Sequence, residues 1–289
     1  MNTSSTIDKS IKVEILLATY NGEIYLEELL DSLISQTYDN WILSVSDDGS
    51  NDKSLDIINN FSSKYPEKVR YVSLGKGKGP CENFCKLMED SVCDLLAFCD
   101  QDDVWKSDKL EVMVQRYLDL LNDNNESVPT LIYCDATVVD EQLKVISDSM
   151  FKINNIDFKK RELFESLQFE NCITGCCLLA NKSAVQLAIK EKNTLTINLG
   201  VDLVMHDHWL GLLTSYHNGI ISYIDRSLIL YRQHSNNAIG ADGDYFLKNI
   251  NLKKFKNIIA KYKMLQHFKI HDSLLIYFIK HIMHSLWNK

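Results

Sequence analysis

The chain has 289 residues, of which 45% are hydrophobic and 24% charged, enough for one large core or for a core with an appendage. The formal net charge is −8, but residues 245–289 carry +8, so residues 1–244 carry −16. Such an acidic body argues against nucleic acid as a partner. We expect one folded domain over residues 1–240 and a basic, amphipathic helical tail over residues 241–289.

The cysteines and the N-terminus bear on the compartment. The eight cysteines contain no CxxC pair and lack the spacing of a disulfide framework, so we expect reduced, mostly buried thiols. The first residues lack a basic segment followed by an apolar run and a cleavage site, which argues against a signal peptide. No apolar run approaches the ~20 residues that span a bilayer. These features predict a cytoplasmic location.

The tail has two interpretations. Its nine lysines alternate with apolar residues from Phe246 to Trp287, a pattern that can lie on an anionic membrane surface. The alternative is a helical pair that packs on the domain with its lysines in water. The composition leaves both open, and the first would place the protein on the inner face of the plasma membrane.

The first 100 residues alternate between short β-type runs and helical stretches, as expected for a parallel sheet covered by helices. We predict strands at 13–18, 41–46, 69–74 and 95–99, and helices at 23–36, after residue 52 and at 82–89. Residues 75–80 contain three glycines and a proline and are predicted to form a loop. This is a nucleotide-binding type of architecture, which we place over residues 11–105.

The remainder, residues 106–240, reads as α+β and is expected to continue the same sheet with the acceptor half of a site. The predicted strands are 130–134, 136–139, 173–180 and one or two within 220–231. The predicted helices are 107–121, 162–169, 182–189 and 207–216.

Three carboxylates follow the apolar strand 95–98, namely Asp100, Asp102 and Asp103. Like charges packed at a strand end destabilise the fold unless a cation or several donors neutralise them. Mg²⁺ and Mn²⁺ take carboxylate oxygens and leave positions for water and phosphate, so the cluster suits a pyrophosphate-bearing substrate. The alternative is an exposed acidic turn that caps the next helix, a role open to Asp103.

A second acidic cluster, Asp47 and Asp48, also follows a strand. Carboxylates at such strand ends can accept hydrogen bonds from a base or a ribose hydroxyl. Asp-Gly followed by Ser-Asn-Asp is also ordinary turn chemistry, so the cluster alone is weak. The sequence Ala-Thr-Tyr-Asn-Gly at 18–22, which ends the first strand, strengthens it.

Together the segments ILLATYNGEIYLEELLDSLISQTYDNW, VSDDGSNDKS and FCDQDDVW resemble the family-2 inverting glycosyltransferases of the GT-A fold, over residues 11 to about 235. The resemblance implies an α/β, Rossmann-like, mostly parallel sheet flanked by helices. It implies a DxD metal site at Asp100 and Asp102. It also implies a donor pocket that includes Thr19, Tyr20, Asn21, Asp47, Asp48, Asp100 and Gln101.

An inverting transferase needs a base that deprotonates the acceptor hydroxyl. Our candidate is Asp207, at the start of an apolar helix, where local N–H groups can hold a carboxylate. Similar enzymes carry an acidic pair here, whereas this chain has His206 as the first member. Asp202 is the second candidate, and a simple helix cap is the alternative role for Asp207.

Other site assignments come from later segments. The LYRQH segment at 230–234 suggests that Arg232 faces the donor pyrophosphate and that His234 completes the metal shell. The segment Thr174, Gly175 and Cys176 resembles the acceptor-side loop of the family, although a strand of small residues packed closely on its neighbours is equally compatible. We also assign Trp209 to the acceptor side.

The DQDDVW and YRQH segments most resemble the corresponding segments of bacterial rhamnosyltransferases, whose donor is dTDP-L-rhamnose. A UDP-sugar transferase for glucose, galactose or galactofuranose shares the same metal and diphosphate chemistry. A non-catalytic nucleotide-sugar-binding subunit of a polysaccharide assembly complex is a third reading. The expected acceptor is a glycan, such as a lipid-linked capsule or cell-wall polymer.

Overall fold

The computed structural model describes residues 10–74, 79–121, 125–154, 164–169, 171, 173–199, 205–235 and 237, together with eight residues of the tail, 262, 263, 265, 266, 273, 276, 277 and 280. The residues 75–78 of the predicted glycine-rich loop and the alternative base Asp202 lie outside these ranges.

Strands and helices alternate through the first half and are mixed in the second. The strands are β1 Val13–Thr19, β2 Trp41–Asp47, β3 Val69–Leu74, β4 Leu95–Asp100, β5 Val104–Trp105, β6 Thr130–Val139, β7 Val145–Ser147, β8 Leu178–Asn181 and β9 Ile220–Arg232. The helices are α1 Leu26–Ile34, α2 Ser54–Lys64, α3 Pro80–Glu89, α4 Lys109–Leu121, α5 Met150–Ile153, α6 Phe164–Leu167, α7 Lys182–Leu199 and α8 His206–Tyr216, with a 3₁₀ turn at Gly175–Cys177.

All nine strands form one sheet in the order β3-β2-β1-β4-β8-β6-β9-β5, and β7 pairs with β6. The β3-β2-β1-β4 part is entirely parallel, as expected for a nucleotide-binding half. Beyond it, β8 runs antiparallel to both β4 and β6, while β6 and β9 are parallel. The mostly parallel arrangement that the sequence predicts therefore describes the first half, and the second half is mixed.

The central strand β1 explains why this sequence folds as a two-sided sheet. Its residues are nearly all buried, as in a parallel strand covered on both faces. Ile15 and Leu17 pack into a core cluster with α1 and α4, whereas Leu16 packs into a second cluster with α3 and α8. Side chains alternate between the faces of a strand, so one apolar run feeds both cores.

Several predicted bounds need correction in the second half. Residues 173–180 are not one strand, because the 3₁₀ turn Gly175–Cys177 precedes the short strand Leu178–Asn181. The two strands predicted within 130–139 are a single strand whose pairing with β9 shifts register around Asp135. The carboxylate of Asp135 accepts hydrogen bonds from the N–H groups of Met150 and Ala136, which stabilises this irregularity.

The cysteines are free among the described residues, and all but Cys81 are buried, as the sequence predicts. No described helix is long and apolar enough to cross a membrane.

The described residues of the tail contact the domain. Leu265 and Tyr277 are buried in the second core cluster. The Tyr277 hydroxyl donates to the Gln168 carbonyl at 2.8 Å, and its ring stacks on Phe169. These contacts favour the packed interpretation for this part of the tail.

Candidate active site

The polar clusters meet at one edge of the sheet because β1, β2 and β4 are parallel neighbours. In the register, Thr19 pairs with Asp47, and Ala18 pairs with Asp100. The acidic cluster after β2 therefore lies on one side of the loop that follows β1, and the acidic cluster after β4 lies on the other side. Such an edge of an open α/β sheet is where ligands ordinarily bind.

Asp47 is fully buried and organises the loop after β2. Its Oδ2 accepts the hydroxyls of Thr19 at 2.8 Å and Ser50 at 2.6 Å. Its Oδ1 accepts the N–H groups of Gly49 at 3.0 Å and Ser50 at 2.8 Å. Thr19 and Asp47 thus bind each other and the loop, and the carboxylate of Asp47 is engaged within the protein.

The loop after β1 is fixed by side chains from two other segments. The Gln101 amide binds both backbone groups of Tyr20, as acceptor at 2.8 Å and as donor at 2.9 Å. Asn21 has a φ of 49°, and its side-chain oxygen accepts the N–H of Asn51 at 2.9 Å. The Tyr20 side chain is 53% exposed at this fixed position. Its ring is therefore presented at the mouth of the site.

Asp48 lies at the rim and faces the start of α3. Its Oδ2 accepts the N–H of Gly79 at 2.8 Å. Gly79 has a φ of 87°, in the left-handed region that favours glycine. Asp48 therefore positions the N-terminus of α3 beside the loop that follows β1.

The acidic turn after β4 has two groups of contacts. Oδ2 of Asp102 lies 2.8 Å from Nε2 of His234 and 3.3 Å from Nδ2 of Asn237. One oxygen each of Asp100 and Asp103 and Sγ of Cys176 lie within 4.8 Å of one another. Of the predicted metal ligands, Asp102 and His234 contact each other. Asp100 lies instead near Asp103 and Cys176.

Neutralisation of the acidic turn is incomplete. Burial, together with the charges of Asp102 and Asp207, raises the pKa of Asp100 to about 7. Burial also raises the pKa of Asp103, whose Oδ2 has no hydrogen-bond donor among the described residues. A divalent cation fits this set of oxygen and imidazole donors, because it would supply the missing positive charge.

Asp207 lies at the first turn of α8 and is nearly buried. Its Oδ2 accepts the N–H of Gly175 at 3.0 Å, and its Oδ1 accepts the N–H of His208 at 2.7 Å. The 3₁₀ turn that begins with Gly175 therefore holds the carboxylate in one orientation. The next residue of this turn, Cys176, has its Sγ within 4.8 Å of a carboxylate oxygen of Asp100, so the candidate base lies beside the acidic turn.

Arg232 is only 2% exposed, and its guanidinium binds the protein. Nε donates to the carbonyl of Asp102 at 2.9 Å, Nη1 donates to the carbonyl of Glu141 at 2.7 Å, and Nη2 pairs with the carboxylate of Glu28. The guanidinium carbon Cζ lies over the Tyr25 ring, 4.5 Å from its centroid. In this structure Arg232 does not face an open pyrophosphate site as predicted; it supports the acidic turn from behind.

His206 and Trp209 both lie in the core. His206 stacks on Phe84 and Phe98, and neither ring nitrogen has a hydrogen-bond partner among the described residues. Burial lowers its pKa, so the ring is neutral at pH 7. Trp209 is buried and donates from Nε1 to the Ala188 carbonyl at 3.0 Å. Its predicted acceptor-side position is therefore wrong in this structure.

Residues 14–187 match the family model of glycosyl transferase family 2. The chain belongs to this family. The dTDP-rhamnosyl transferase RfbG of Shigella flexneri is 30% identical to this glycosyltransferase over 254 residues, which cover 86% of this chain and 78% of RfbG. The putative teichuronic acid biosynthesis glycosyltransferase TuaG of Bacillus subtilis is 31% identical over 103 residues, which cover 36% and 40% of the two chains.

Solved structures of low sequence identity share the GT-A fold of this glycosyltransferase. The mannosyltransferase PcManGT of Pyrobaculum calidifontis, solved with GDP-Man and Mn²⁺, aligns with a TM-score of 0.53 and 14% identity over 98% of this chain and 89% of its own. A fragment of S. aureus TarS in complex with UDP aligns with a TM-score of 0.53 and 17% identity. That alignment covers 77% of this chain and 61% of the TarS chain.

The predicted site residues of the glycosyltransferase fall into two sets. The structure brings Tyr20, Asn21, Gln101 and Asp48 around the mouth, and it brings Asp100, Asp102, His234, Gly175 and Asp207 around the acidic turn. Thr174 accepts the Cys177 N–H through its carbonyl and begins the same 3₁₀ turn. Sequence reasoning did not predict that Cys176 contacts the acidic turn, and it did not assign Lys109, since both contact the site only through the tertiary fold.

Proposed function

We propose that this glycosyltransferase moves L-rhamnose from dTDP-L-rhamnose to a glycan acceptor by a single displacement that inverts the anomeric carbon. The observation that carries the proposal is the position of Asp207, which Gly175 holds beside the carboxylates of the acidic turn. The similarity to RfbG over most of both chains supports the choice of rhamnose.

Asp207 is suited to the base because each of its oxygens accepts one fixed N–H and keeps lone pairs for a further donor. An acceptor hydroxyl that approaches from the α8 side donates its proton to this carboxylate as its oxygen attacks the sugar. These N–H groups hold the carboxylate in one orientation before the reaction. General-base assistance of this kind contributes about 10²–10⁴-fold to the rate.

The donor nucleotide is proposed to bind at the mouth formed by the loop after β1 and by Asp48. The exposed ring of Tyr20 is available to stack on the nucleobase of the donor. Gln101 binds the backbone of Tyr20 and keeps the ring in place. The diphosphate would then point towards the acidic turn. Thr19 and Asp47 contribute indirectly, because they shape the wall of this pocket.

Asp100, Asp102 and His234 would hold a divalent cation, Mg²⁺ or Mn²⁺, at the diphosphate, and the contact between Asp102 and His234 supports the last two members of this set. Such an ion would offset the charge that develops on the departing nucleoside diphosphate. The presence of Mn²⁺ in PcManGT is compatible with this assignment. Arg232 would maintain the site by fixing the carbonyl of Asp102 and the strand that leads to His234.

Thermal unfolding with a panel of nucleotides tests the donor and the metal together. We expect dTDP and dTDP-rhamnose to raise the melting temperature more than UDP forms do, and only when Mn²⁺ or Mg²⁺ is present. Asp102→Asn should lose this shift. Asp108→Asn is the matched control, because Asp108 pairs with Arg226 outside the site.

The alternatives give different results in the same experiment. A metal-dependent preference for UDP-sugars would keep the mechanism and replace the donor. No response to any nucleotide would favour a non-catalytic, scaffolding subunit of a polysaccharide assembly complex and would overturn the proposal. For an active enzyme, NMR of the first-formed product should show inverted anomeric configuration, and retained configuration would overturn the assignment of Asp207 as base.

The proposed acceptor is a lipid-linked glycan of a capsule or cell wall, handled in the cytoplasm at the inner face of the membrane. Lys263 and Lys280 in the tail are exposed, whereas Leu265 and Tyr277 face the domain. A packed tail can therefore still present lysines to anionic lipid. The full chain should sediment with anionic vesicles and not with neutral ones, and a Lys263→Gln/Lys280→Gln variant should bind less.

A further inference from the structure

Lys109 is a lysine at the first position of α4 whose side chain is fully buried. Its Nζ donates to the Cys176 carbonyl at 2.7 Å and lies 3.2 Å from the centroid of the Trp105 ring. Lysine is almost never fully buried without a partner, because removing the amine from water costs free energy. The contact with the Cys176 carbonyl therefore points to a requirement at that carbonyl.

The start of α4 is a fixed base for this side chain. Oε1 of Gln36, which follows α1, accepts the N–H of Leu110 at 3.1 Å. Nε2 of Gln36 donates to the carbonyl of Lys106 at 2.9 Å. One side chain thus holds the backbone on both sides of Lys109. The amine of Lys109 therefore reaches the core from a backbone position that α1 stabilises.

The amine holds one peptide unit of the 3₁₀ turn Gly175–Cys177. The carbonyl of Cys176 and the N–H of Cys177 belong to the same planar unit. Lys109 binds the carbonyl, and the N–H donates to the Thr174 carbonyl at 3.0 Å. Both polar ends of the unit are therefore engaged within the protein.

The beginning of the same turn is fixed against α8. The N–H of Gly175 donates to Oδ2 of Asp207 at 3.0 Å. A Cβ at position 175 would lie 2.9 Å from Nε2 of His206, and the His206 ring is packed on Phe84 and Phe98. The turn is thus confined between the amine from α4 and the start of α8. A shift at the amine is passed to the N–H that orients the candidate base.

We propose that Lys109 is a positioning residue of the transferase: it anchors the 3₁₀ turn and thereby sets the position of the Gly175 N–H that orients Asp207. Lys109 acts only through the backbone of the turn. A displacement of about 1 Å in a reacting group can reduce a rate about 10²-fold, so a small movement of the turn matters. The effect on catalysis rests on the proposed function, whereas the anchoring of the turn does not.

The first test is Lys109→Met, which keeps an unbranched side chain and removes the donor. We expect kcat to fall at least about tenfold, measured as release of the nucleoside diphosphate in the presence of acceptor. KM for the donor and the thermal shift that the donor produces should stay as in the wild type. A kcat within about threefold of wild type would overturn the proposal. Loss of the donor shift would overturn it as well, because Lys109 would then act through the donor site.

A double variant tests whether Lys109 acts through Asp207. In the Asp207→Asn background, Lys109→Met should change kcat by less than about twofold, because the base that the turn orients is already lost. A further fall of about tenfold would show that the two residues act independently and would overturn the proposal.

Two more variants separate this role from general stability. Val114→Ala shortens a buried side chain further along α4, in the core cluster that α4 shares with α1. It should lower the melting temperature and leave kcat within about twofold of wild type. A loss of kcat equal to that of Lys109→Met would contradict a specific role for Lys109. Lys109→Gln, whose side chain is one bond shorter, should give the same low kcat and replaces Lys109→Met if that variant does not fold.

Hydrogen exchange tests the anchoring without an activity assay. In Lys109→Met, the amide hydrogens of Gly175 and Cys177 should exchange at least about tenfold faster than in the wild type, while that of Leu43 in the buried strand β2 should not change. If exchange accelerates but Asp207→Asn stays active, the proposed function fails and the anchoring stands. If Asp207→Asn is inactive but exchange and kcat in Lys109→Met match the wild type, the anchoring fails and the proposed function stands.

Discussion

Two acidic clusters lie at the ends of β2 and β4, on either side of β1, and they differ in how their carboxylates are satisfied. Asp47 after β2 accepts hydrogen bonds from two hydroxyls and two backbone N–H groups. Asp103 after β4 is equally buried, but one of its oxygens has no donor among the described residues. Both clusters follow a buried strand, so the sequence presents them alike.

The difference separates residues that build the site from residues that bind ligands. A buried carboxylate with four donors contributes to loop stability and has little capacity left for substrate. A cluster with unsatisfied oxygens destabilises the apoprotein and gains stability when a cation binds. The comparison therefore predicts that substitution of Asp47, whose oxygens are all engaged within the protein, acts on folding, and that substitutions of the carboxylates in the second cluster act on binding and catalysis.

The largest effect is expected at the base. Asp207→Asn keeps an oxygen that can accept the Gly175 N–H but cannot take a proton from the acceptor. We expect kcat to fall about 10²–10⁴-fold, measured as release of the nucleoside diphosphate in the presence of acceptor. The thermal shift produced by donor should remain. A variant that keeps more than a tenth of wild-type kcat would show that another group is the base.

Loss of Arg232 should mainly reduce stability. Arg232→Met removes the donors to the carbonyls of Asp102 and Glu141 and the partner of Glu28. Because the partly buried carbonyls lose their donors and a buried side chain loses its polar contacts, the free energy of unfolding in urea should fall by about 3 kcal/mol. Glu28→Gln, which removes only the half-exposed partner, is the control and should cost less than about 1 kcal/mol. Equal costs for the two variants would contradict a supporting role for the buried end of Arg232.

Asp47 and Asp48 are adjacent and provide a direct comparison within the first cluster. Asp47→Asn replaces an acceptor of two N–H groups and two hydroxyls with a group that has one oxygen, and it should reduce the free energy of unfolding by about 2 kcal/mol. Asp48→Asn should change stability by less than that and weaken nucleotide binding, measured by thermal shift. A larger loss of stability in Asp48→Asn than in Asp47→Asn would contradict our assignment of Asp47 to loop stability and Asp48 to nucleotide binding.

Much of the first half of the fold could be predicted because its signals are local. Apolar runs predict β1 to β4, and parallel neighbours necessarily bring their carboxyl ends to one edge. The motifs at 18–22, 47–52 and 100–105 therefore identify the site before any side chain is placed. Gln101 is an example, since its place in the loop already puts it beside the end of β1.

The orientation of individual side chains could not be predicted in the same way. Arg232 contacts residues 91 to 204 positions away in the sequence, and a single chain gives no sign of such pairs. Trp209 lies next to the base along the helix but on the face that packs against α7. Cys176 was read as part of a buried strand, and only the 3₁₀ turn brings it to the acidic residues.

The smallest predicted effect is the pH dependence contributed by His206, which occupies the position of an acid in similar enzymes. Burial lowers the pKa of the folded ring below its usual 6.5, so as pH falls below about 6.5 the unfolded chain takes up a proton before the folded one does. This contribution to stability is complete above pH 6.5 and is lost on acidification.

Relative to His206→Gln, the wild type should lose up to about 1.4 kcal/mol of unfolding free energy per pH unit. Parallel urea-unfolding curves for the two proteins between pH 7 and pH 5 would instead indicate that the folded ring protonates normally. A protonated His206 would place a positive charge next to Asp207. In the structure the ring instead stacks on Phe84, and neither of its nitrogens has a hydrogen-bond partner among the described residues.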